Sequence, residues 1–161
     1  MEKLFAVCAL GFEPFTRQEL QQLGLVDSAS ADLPPEKASS TSKDEDAGGI
    51  EFSGGLEAIY RANLHLRTAS RVLVRFAEFH AAAFSELRRK SNTLPWESYL
   101  SPGQPVAIRV TCRKSRLYHS AAVAREVAAA IGDRLGVKPE LLPFREELET
   151  QLIIVRLVDD E

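Results

Sequence analysis

The sequence is poor in cysteine and histidine and has no long apolar run. Only two of its 161 residues are cysteines, Cys8 and Cys112, too few for a disulfide framework, and we expect both to be small core residues in a reducing compartment. The three histidines, at positions 65, 80 and 119, share no metal-ligand spacing, so we expect no metal. Because no stretch of about 18 apolar residues is present, we expect no membrane span and a cytoplasmic protein.

Recognisable catalytic and cofactor-binding motifs are also missing. Gly54-Gly55 lacks the flanking glycines of a phosphate-binding loop and is more typical of a turn. Nothing fixes the separation of Glu13 from the acidic end at 159–161, so we interpret these as a helix-start charge and a solvated tail. We therefore expect no catalytic activity from this chain alone and no cofactor bound within it.

Charge is distributed unevenly along the chain. Residues 81–139 carry 10 Lys and Arg against 4 Asp and Glu, a balance of +6. Residues 1–80 carry 8 against 12 and residues 140–161 carry 2 against 7, which together give the net charge of −3. A basic segment between two acidic ones indicates a polyanionic partner without naming it.

The first half of the chain alternates short strands with amphipathic helices. An apolar strand over 4–10 is followed by a helix that begins near Pro14 and ends at Gly24. A weak edge strand over 25–31, a strand over 50–53, a helix over 56–66 and a strand over 72–77 complete the order β-α-(β)-β-α-β. The side chains expected to face the core are Phe12, Phe15, Leu20 and Leu23 on the first helix and Leu56, Ile59, Tyr60 and Leu64 on the second.

Residues 32–49 differ in composition from the rest of this half. They contain almost no side chain that a core could bury, so ordering them would cost entropy without compensation. We predict a flexible insertion without a function of its own.

The second half repeats the alternation. We predict a helix over 81–90, a strand over 106–113, a helix over 121–135 that ends at Gly136, and a strand over 152–158. Two strands around one helix favour a parallel pair. The single Trp96 is more typical of a packing anchor than of a base-stacking residue. Helical spacing on the 121–135 segment predicts a buried stripe made of Val123, Val127, Ile131 and Leu135.

Several short motifs occur in the order found in one enzyme family. They are G-F-E at 11–13, E-L-x-x-L-G at 19–24, F-x-G at 52–54, Y-R-A-N-L-H-L-R-T-A-S-R-V-L at 60–73, Trp96, and S-R-L-Y-H-S at 115–120. Together they resemble the N-terminal region of bacterial rRNA guanine-N2 methyltransferases, a family often labelled N6-adenine-specific DNA methylases. The resemblance covers Leu4 to Val158 apart from the insertion.

This resemblance implies an α+β chain with a ferredoxin-like βαββαβ domain at 1–80 and an α/β THUMP domain, an RNA-binding module, at 81–161. The second domain could instead begin near residue 57, and its C-terminal part is expected to be cut short. Family members normally continue with another strand, an R-G-Y-R-like segment and a Rossmann-type domain that binds S-adenosylmethionine and carries N-P-P-Y-type motifs, none of which occurs in this sequence. The implied partners are structured RNA, above all large-subunit rRNA, and that methyltransferase domain. A fragment directed at tRNA and a non-catalytic protein-interaction scaffold remain alternatives.

The candidate RNA-binding residues lie mainly at one strand-to-helix junction. Arg and Lys supply phosphate contacts, a helix N-terminus favours anions, and an exposed ring can stack on an unpaired base. The alternative is a solvated turn in which Ser120 caps the helix and Tyr118 packs inward. The candidates are Arg113, Lys114, Ser115, Arg116, Tyr118 and His119.

Two other groups of basic residues are weaker candidates. Arg67 and Arg71 could contact RNA phosphates, but we favour a bracing role in which the 67–71 connection holds the two domains together by pairing with carboxylates such as Glu13 or Glu57. The run 88–90 either complements the dipole of a helix C-terminus or extends the basic surface, and the sequence favours neither.

Overall fold

The computed structural model describes residues 1–27, 48–143 and 150–160 of the chain. It divides into two compact units, Met1–Phe76 and Ala77–Glu161, called unit 1 and unit 2 below. Within the described ranges, no helix combines the length and the apolarity needed to cross a bilayer.

Unit 1 is a three-stranded antiparallel sheet with two helices. Its elements are β1 (Glu2–Cys8), α1 (Glu13–Gln22), β2 (Gly49–Gly54), α2 (Leu56–His65) and β3 (Ala69–Arg75). Strand β1 lies between β2 and β3 and runs antiparallel to both. The β2-α2-β3 segment is therefore a split βαβ motif with β1 between its two strands, which is the arrangement predicted for a ferredoxin-like domain. Of the expected edge strand, residues 25–27 lie outside any strand and the remainder lies outside the described residues.

The core of unit 1 lies between one face of this sheet and the two helices. Leu4 and Ala6 of β1 and Ile50 and Phe52 of β2 meet Leu20 of α1 there. On α2, the buried side chains are Ala58 and Ala62.

The prediction of which side chains of α1 and α2 face the core is largely wrong. Phe12, Phe15, Leu56, Tyr60 and Leu64 are exposed. The exposure of the large side chains of α2 follows from its close approach to β2, where a Cβ on Gly54 would overlap Ala58. The helix packs so close to the strand that small side chains fill the contact and the large ones remain outside.

The predicted insertion at 32–49 ends two residues too late. Residues 32–47 lie outside the described ranges, but Gly49 is the first residue of β2 and pairs with Val7. The N–H of Gly48 donates to Glu13 Oε1 at 2.7 Å, and its carbonyl accepts from the N–H of Cys8 at 2.8 Å. Gly48 and Gly49 therefore belong to the sheet edge, a role that composition alone did not reveal.

Unit 2 has a two-stranded parallel sheet on which one helix packs, and a second helix packs on the first. Its elements are α3 (Phe84–Asn92), β4 (Val106–Arg113), α4 (Ser120–Leu135) and β5 (Gln151–Val158), with one 3₁₀ turn at Trp96–Ser98. Strands β4 and β5 pair in parallel over their whole length, which confirms the predicted parallel pair. Gly136 ends α4 with a φ of 78°, a left-handed conformation that favours glycine.

The stripe predicted on α4 is confirmed. Val123, Val127 and Ile131 are buried, and Leu135 at the end of the helix is half-buried. Trp96 is 5% exposed, and its indole N–H donates to the carbonyl of Ser91 at 2.8 Å. The tryptophan is thus a packing anchor between α3 and the rest of unit 2, as predicted, and is not available to stack on a base.

Candidate RNA-binding junction

The link between β4 and α4, residues 113–119, is called the basic junction. Arg113 ends β4, and Lys114 has a φ of 53°, which turns the chain sharply out of the strand. Arg113, Lys114 and Arg116 are all exposed, and the side chain of Arg116 retains 80% of its accessible surface. Three cations therefore stand in solvent within four residues.

The acidic end of the chain holds this junction in place. Asp160 Oδ1 accepts hydrogen bonds from the hydroxyl of Ser115 at 3.0 Å and from the N–H of Arg116 at 2.6 Å. Its Oδ2 lies 3.6 Å from Nε of Arg116. The hydrogen bond from the Arg116 N–H, supported by that from Ser115, holds the pKa of Asp160 below its ordinary value.

The predicted solvated tail at 159–161 is therefore wrong at Asp160. The backbone takes part as well, because the carbonyl of Asp160 accepts from the N–H of Ala81 at 2.8 Å. The N–H of Asp159 donates to the carbonyl of Arg113 at 3.2 Å, which continues the β4–β5 pairing past the strand ends. Sequence reasoning missed the side-chain contacts of Asp160 because they join residues 44 or 45 positions apart.

One buried side chain lies among the exposed residues of the basic junction. Leu117 is 2% exposed and anchors the link, whereas Tyr118 is 69% exposed. The rings of Tyr118 and His119 lie with centroids 4.2 Å apart at 41°. The alternative in which Tyr118 packs inward is wrong, and the two exposed rings are available to a base.

The start of α4 also differs from expectation. Ser120 is the first helical residue and His119 occupies the N-cap position, so the predicted Ser120 cap is wrong. Among the residues that the structure describes, no side chain forms a capping hydrogen bond there. The partial positive charge of this 16-residue helix consequently points into the basic junction and adds to its attraction for anions.

Two further arginines lie on the same sheet face as Arg113. Along β4, Arg109 and Thr111 alternate with half-buried residues and are exposed. On β5, the exposed Arg156 stands opposite Thr111 in the parallel register. Strand alternation could have identified Arg109 from the sequence, but Arg156 required the pairing register.

Several basic residues of α3 and α4 are engaged with carboxylates. Arg88 pairs with Asp133 at 2.8 Å, and Lys90 pairs with Glu86 at 2.7 Å. Arg134 pairs with Glu97 at 2.7 Å, and this hydrogen-bonded contact lowers the pKa of Glu97 to about 2. The charge of these helices is thus partly neutralised, whereas the basic junction presents three exposed cations, and among the described residues Asp160 is the carboxylate that contacts them.

Arg67 and Arg71 belong to unit 1, whereas the basic junction belongs to unit 2. Within unit 1, Glu19 holds this connection: its Oε2 accepts from the backbone N–H of Arg67 at 3.0 Å and from the hydroxyl of Thr68 at 2.8 Å. The predicted partners Glu13 and Glu57 are not those used. Desolvation raises the pKa of Glu19, but these hydrogen bonds outweigh it and leave the pKa below its ordinary value. Both arginine side chains are exposed.

The described residues show no metal centre and two unpaired thiols. No group of three or more His, Cys, Asp or Glu within the described part of the chain could hold an ion. Cys8 is buried and Cys112 half-buried, and burial raises the pKa of the Cys112 thiol. A raised thiol pKa disfavours the reactive thiolate, in keeping with a packing role.

Two protein-family models match the chain. One, described as the RlmL ferredoxin-like domain, matches residues 41–73, and the other, described as the THUMP domain, matches residues 81–142. The order of the two agrees with the order of units 1 and 2.

Relatives with names and structures support the same resemblance. The ribosomal RNA large subunit methyltransferase K/L of Syntrophotalea carbinolica is 33% identical over 132 residues, covering 82% of this chain and 16% of that protein. A Synechocystis protein named as an RNA methyltransferase is 33% identical over 130 residues, 81% of this chain and 30% of that protein. A crystal structure described as that of a possible methylase from Clostridium difficile 630 has a TM-score of 0.73 and 25% identity, covering 99% of this chain and 39% of its own.

These matches confirm the predicted pair of folds and the predicted family resemblance. The chain spans less than a third of the length of either named relative. The shared region is the N-terminal part of longer proteins, not their whole.

Proposed function

Because the chain carries an RlmL-type ferredoxin-like domain followed by a THUMP domain, we propose that it is the RNA-recognition region of an RNA methyltransferase. Methyl transfer and S-adenosylmethionine binding would belong to a part of the relatives that this chain does not share. The boundary between the two domains would lie near residue 80. The observation that carries the proposal is the exposed basic junction inside the THUMP match.

The basic junction would bind the RNA backbone first and an unpaired base second. Arg113, Lys114 and Arg116 would displace counterions from phosphates, with the N-terminus of α4 adding its dipole. The exposed rings of Tyr118 and His119 would stack on a base splayed out of a loop or an end. Affinity would then come mainly from phosphates and specificity from RNA shape.

The target we favour is large-subunit ribosomal RNA, with a guanosine presented to the catalytic domain. The name of the Syntrophotalea relative supports this choice, whereas that of the Synechocystis relative specifies no RNA. A tRNA target remains the second candidate. A scaffold role is less well supported, because three exposed cations of unit 2 cluster at one junction instead of scattering.

Binding competition tests the proposal. The full chain should bind a structured fragment of large-subunit rRNA, and a tRNA or a DNA duplex of equal length should compete less well. Calorimetry should show no binding of S-adenosylmethionine, and the chain should not methylate the RNA. Turnover by this chain would contradict a separate catalytic domain, and equal competition by the DNA duplex would contradict RNA recognition.

A further inference from the structure

Unit 1 has a sheet face that neither of its helices covers. Strand pairing places Lys3, Phe5 and Val7 of β1 opposite Arg75, Leu73 and Arg71 of β3. On β2, their partners are Ser53, Glu51 and Gly49. Paired residues point to the same side, and α1 and α2 pack against the other side through Leu4, Ala6, Ile50 and Phe52. We call the side that carries Phe5 the open sheet face.

An aromatic platform occupies the middle of the open sheet face. The Phe5 ring lies against β2 at Gly49, where a Cβ would overlap it. The guanidinium of Arg75 lies 4.7 Å from the ring centroid and is held by Glu51 Oε2 at 2.6 Å. Phe5 is half-buried and Arg75, held by Glu51, lies over its ring, so the glycine and the ion pair fix a planar guanidinium on top of an aromatic ring at the sheet surface.

The charge of the open sheet face suits an anionic chain. Glu51 is its single carboxylate among the described residues, and Arg75 pairs with it. Lys3 and Arg71 are exposed at opposite ends of the face. Arg75 follows Arg71 by four positions along β3, a span of about 13 Å at ordinary strand rise. Two cations therefore flank a flat stacking surface.

We propose that the open sheet face binds a short single-stranded segment of RNA, independently of the basic junction. A base would stack on the outer face of the Arg75 guanidinium, which Glu51 and the Phe5 ring hold in place, while Lys3 and Arg71 would contact the neighbouring phosphates. Stacking accepts any base, because each has a π-face, so this site would recognise unpaired RNA without sequence preference. This site goes beyond the proposed function because it adds a second RNA contact, located in unit 1. It also gives Arg71 a role in RNA binding.

Single substitutions of Phe5 test the stacking step. The probe is a short fluorescent oligouridine, titrated by anisotropy into the full chain whose junction carries R113A, K114A and R116A, so that the first site does not contribute. Phe5→Leu keeps an apolar side chain but removes the ring on which the Arg75 guanidinium lies, and it should weaken binding roughly 5- to 150-fold, the range for the loss of one stacked base. Phe5→Tyr keeps an aromatic ring at this position, so its affinity for oligouridine should equal that of the background with Phe5. Phe15→Ala, at an exposed aromatic on α1, is the matched control and should change nothing.

A second measurement places the base at the ring. In Phe5→Trp, the introduced indole should be quenched by unlabelled oligouridine, whereas the buried Trp96 of the parent should not respond. Lys3→Ala with Arg71→Ala should lower the salt slope of oligouridine binding by roughly 1.4 units, at 0.7 per phosphate contact. Equal affinity of the parent and Phe5→Leu, with no quenching in the Phe5→Trp variant, would overturn the proposal. Because the junction variant is the background, that result would leave the proposed function standing.

Discussion

The carboxylate of Asp160 accepts a hydrogen bond from the backbone N–H of Arg116 at 2.6 Å. This hydrogen bond therefore connects the residues that follow β5 to the link between β4 and α4. A carboxylate in the middle of a basic cluster has two opposite effects on an anionic ligand. It positions the backbone that carries the cations, and its charge repels phosphate.

Substitutions of Asp160 separate these two effects. Asp160→Asn keeps an acceptor for Ser115 and Arg116 and removes the charge, so RNA should bind at least as tightly as to the parent. Asp160→Ala removes the acceptor too, and we expect weaker binding than for Asp160→Asn together with a lower thermal midpoint. Filter binding and thermal melts of both variants provide the check. Equal affinities of the two would show that these hydrogen bonds do not position the cations.

Leu117 and Tyr118 are adjacent residues with opposite expected phenotypes. Leu117→Ala removes a side chain that is 2% exposed, so unfolding should become easier by about 2–5 kcal/mol. Tyr118→Ala removes a side chain that is 69% exposed, so stability should stay within about 0.5 kcal/mol while RNA affinity falls. Urea denaturation and RNA titration distinguish the two. A destabilised Tyr118→Ala with unchanged affinity would contradict a stacking role.

The sequence predicted element order better than it predicted which helix faces are buried. Residues 106–113 and 121–135 could be placed because alternation and helical spacing are local signals, and they agree with β4 and α4. The faces of α1 and α2 could not be placed by hydrophobicity. Their core contacts include small or polar side chains, as with Thr16, whose hydroxyl lies 2.8 Å from that of Thr68.

The candidate site was only partly predictable from the sequence. The cations of the basic junction lie within four consecutive positions, so charge counting found them. The contacts of Asp160 and the position of Arg156 depend on strand pairing between distant segments, which composition does not encode. The open sheet face likewise exists only once β1, β2 and β3 are assembled.

The acidic segment 32–47 should be dispensable when Gly48 and Gly49 are retained. Replacing residues 32–47 with a short Gly-Ser linker should leave the thermal midpoint nearly unchanged, because loop-closure entropy varies slowly with length. Adding Gly49→Val to that variant should lower the midpoint, since a side chain there would overlap the Phe5 ring and the backbone of β1. Calorimetric melts test both. A large drop from the linker alone would show that residues 32–47 stabilise the fold.

The pair formed by Glu97 and Arg134 should make stability depend on pH in acid. The pKa of Glu97 falls from an ordinary value of 4.5 to about 2 in the folded chain. Because the folded-state pKa is lowered, the stabilisation is fully present above the unfolded value and is lost as pH falls from 4.5 towards 2. The stability difference between the parent and Glu97→Gln should therefore shrink over that window in urea titrations. Arg134→Gln, which removes the same pair, should behave alike, and a pH-independent difference would contradict the assignment.

The salt dependence of RNA binding tests the central claim most directly. Replacing Arg113, Lys114 and Arg116 together by Ala should weaken binding of structured rRNA and reduce the log–log salt slope by roughly 0.7 to 0.9 units for each lost phosphate contact. The control variant R88A/R89A/R134A removes the same charge from α3 and α4 and should largely keep the parental slope. If the junction variant binds as tightly as the parent with the same slope, the basic junction is not the RNA-binding site.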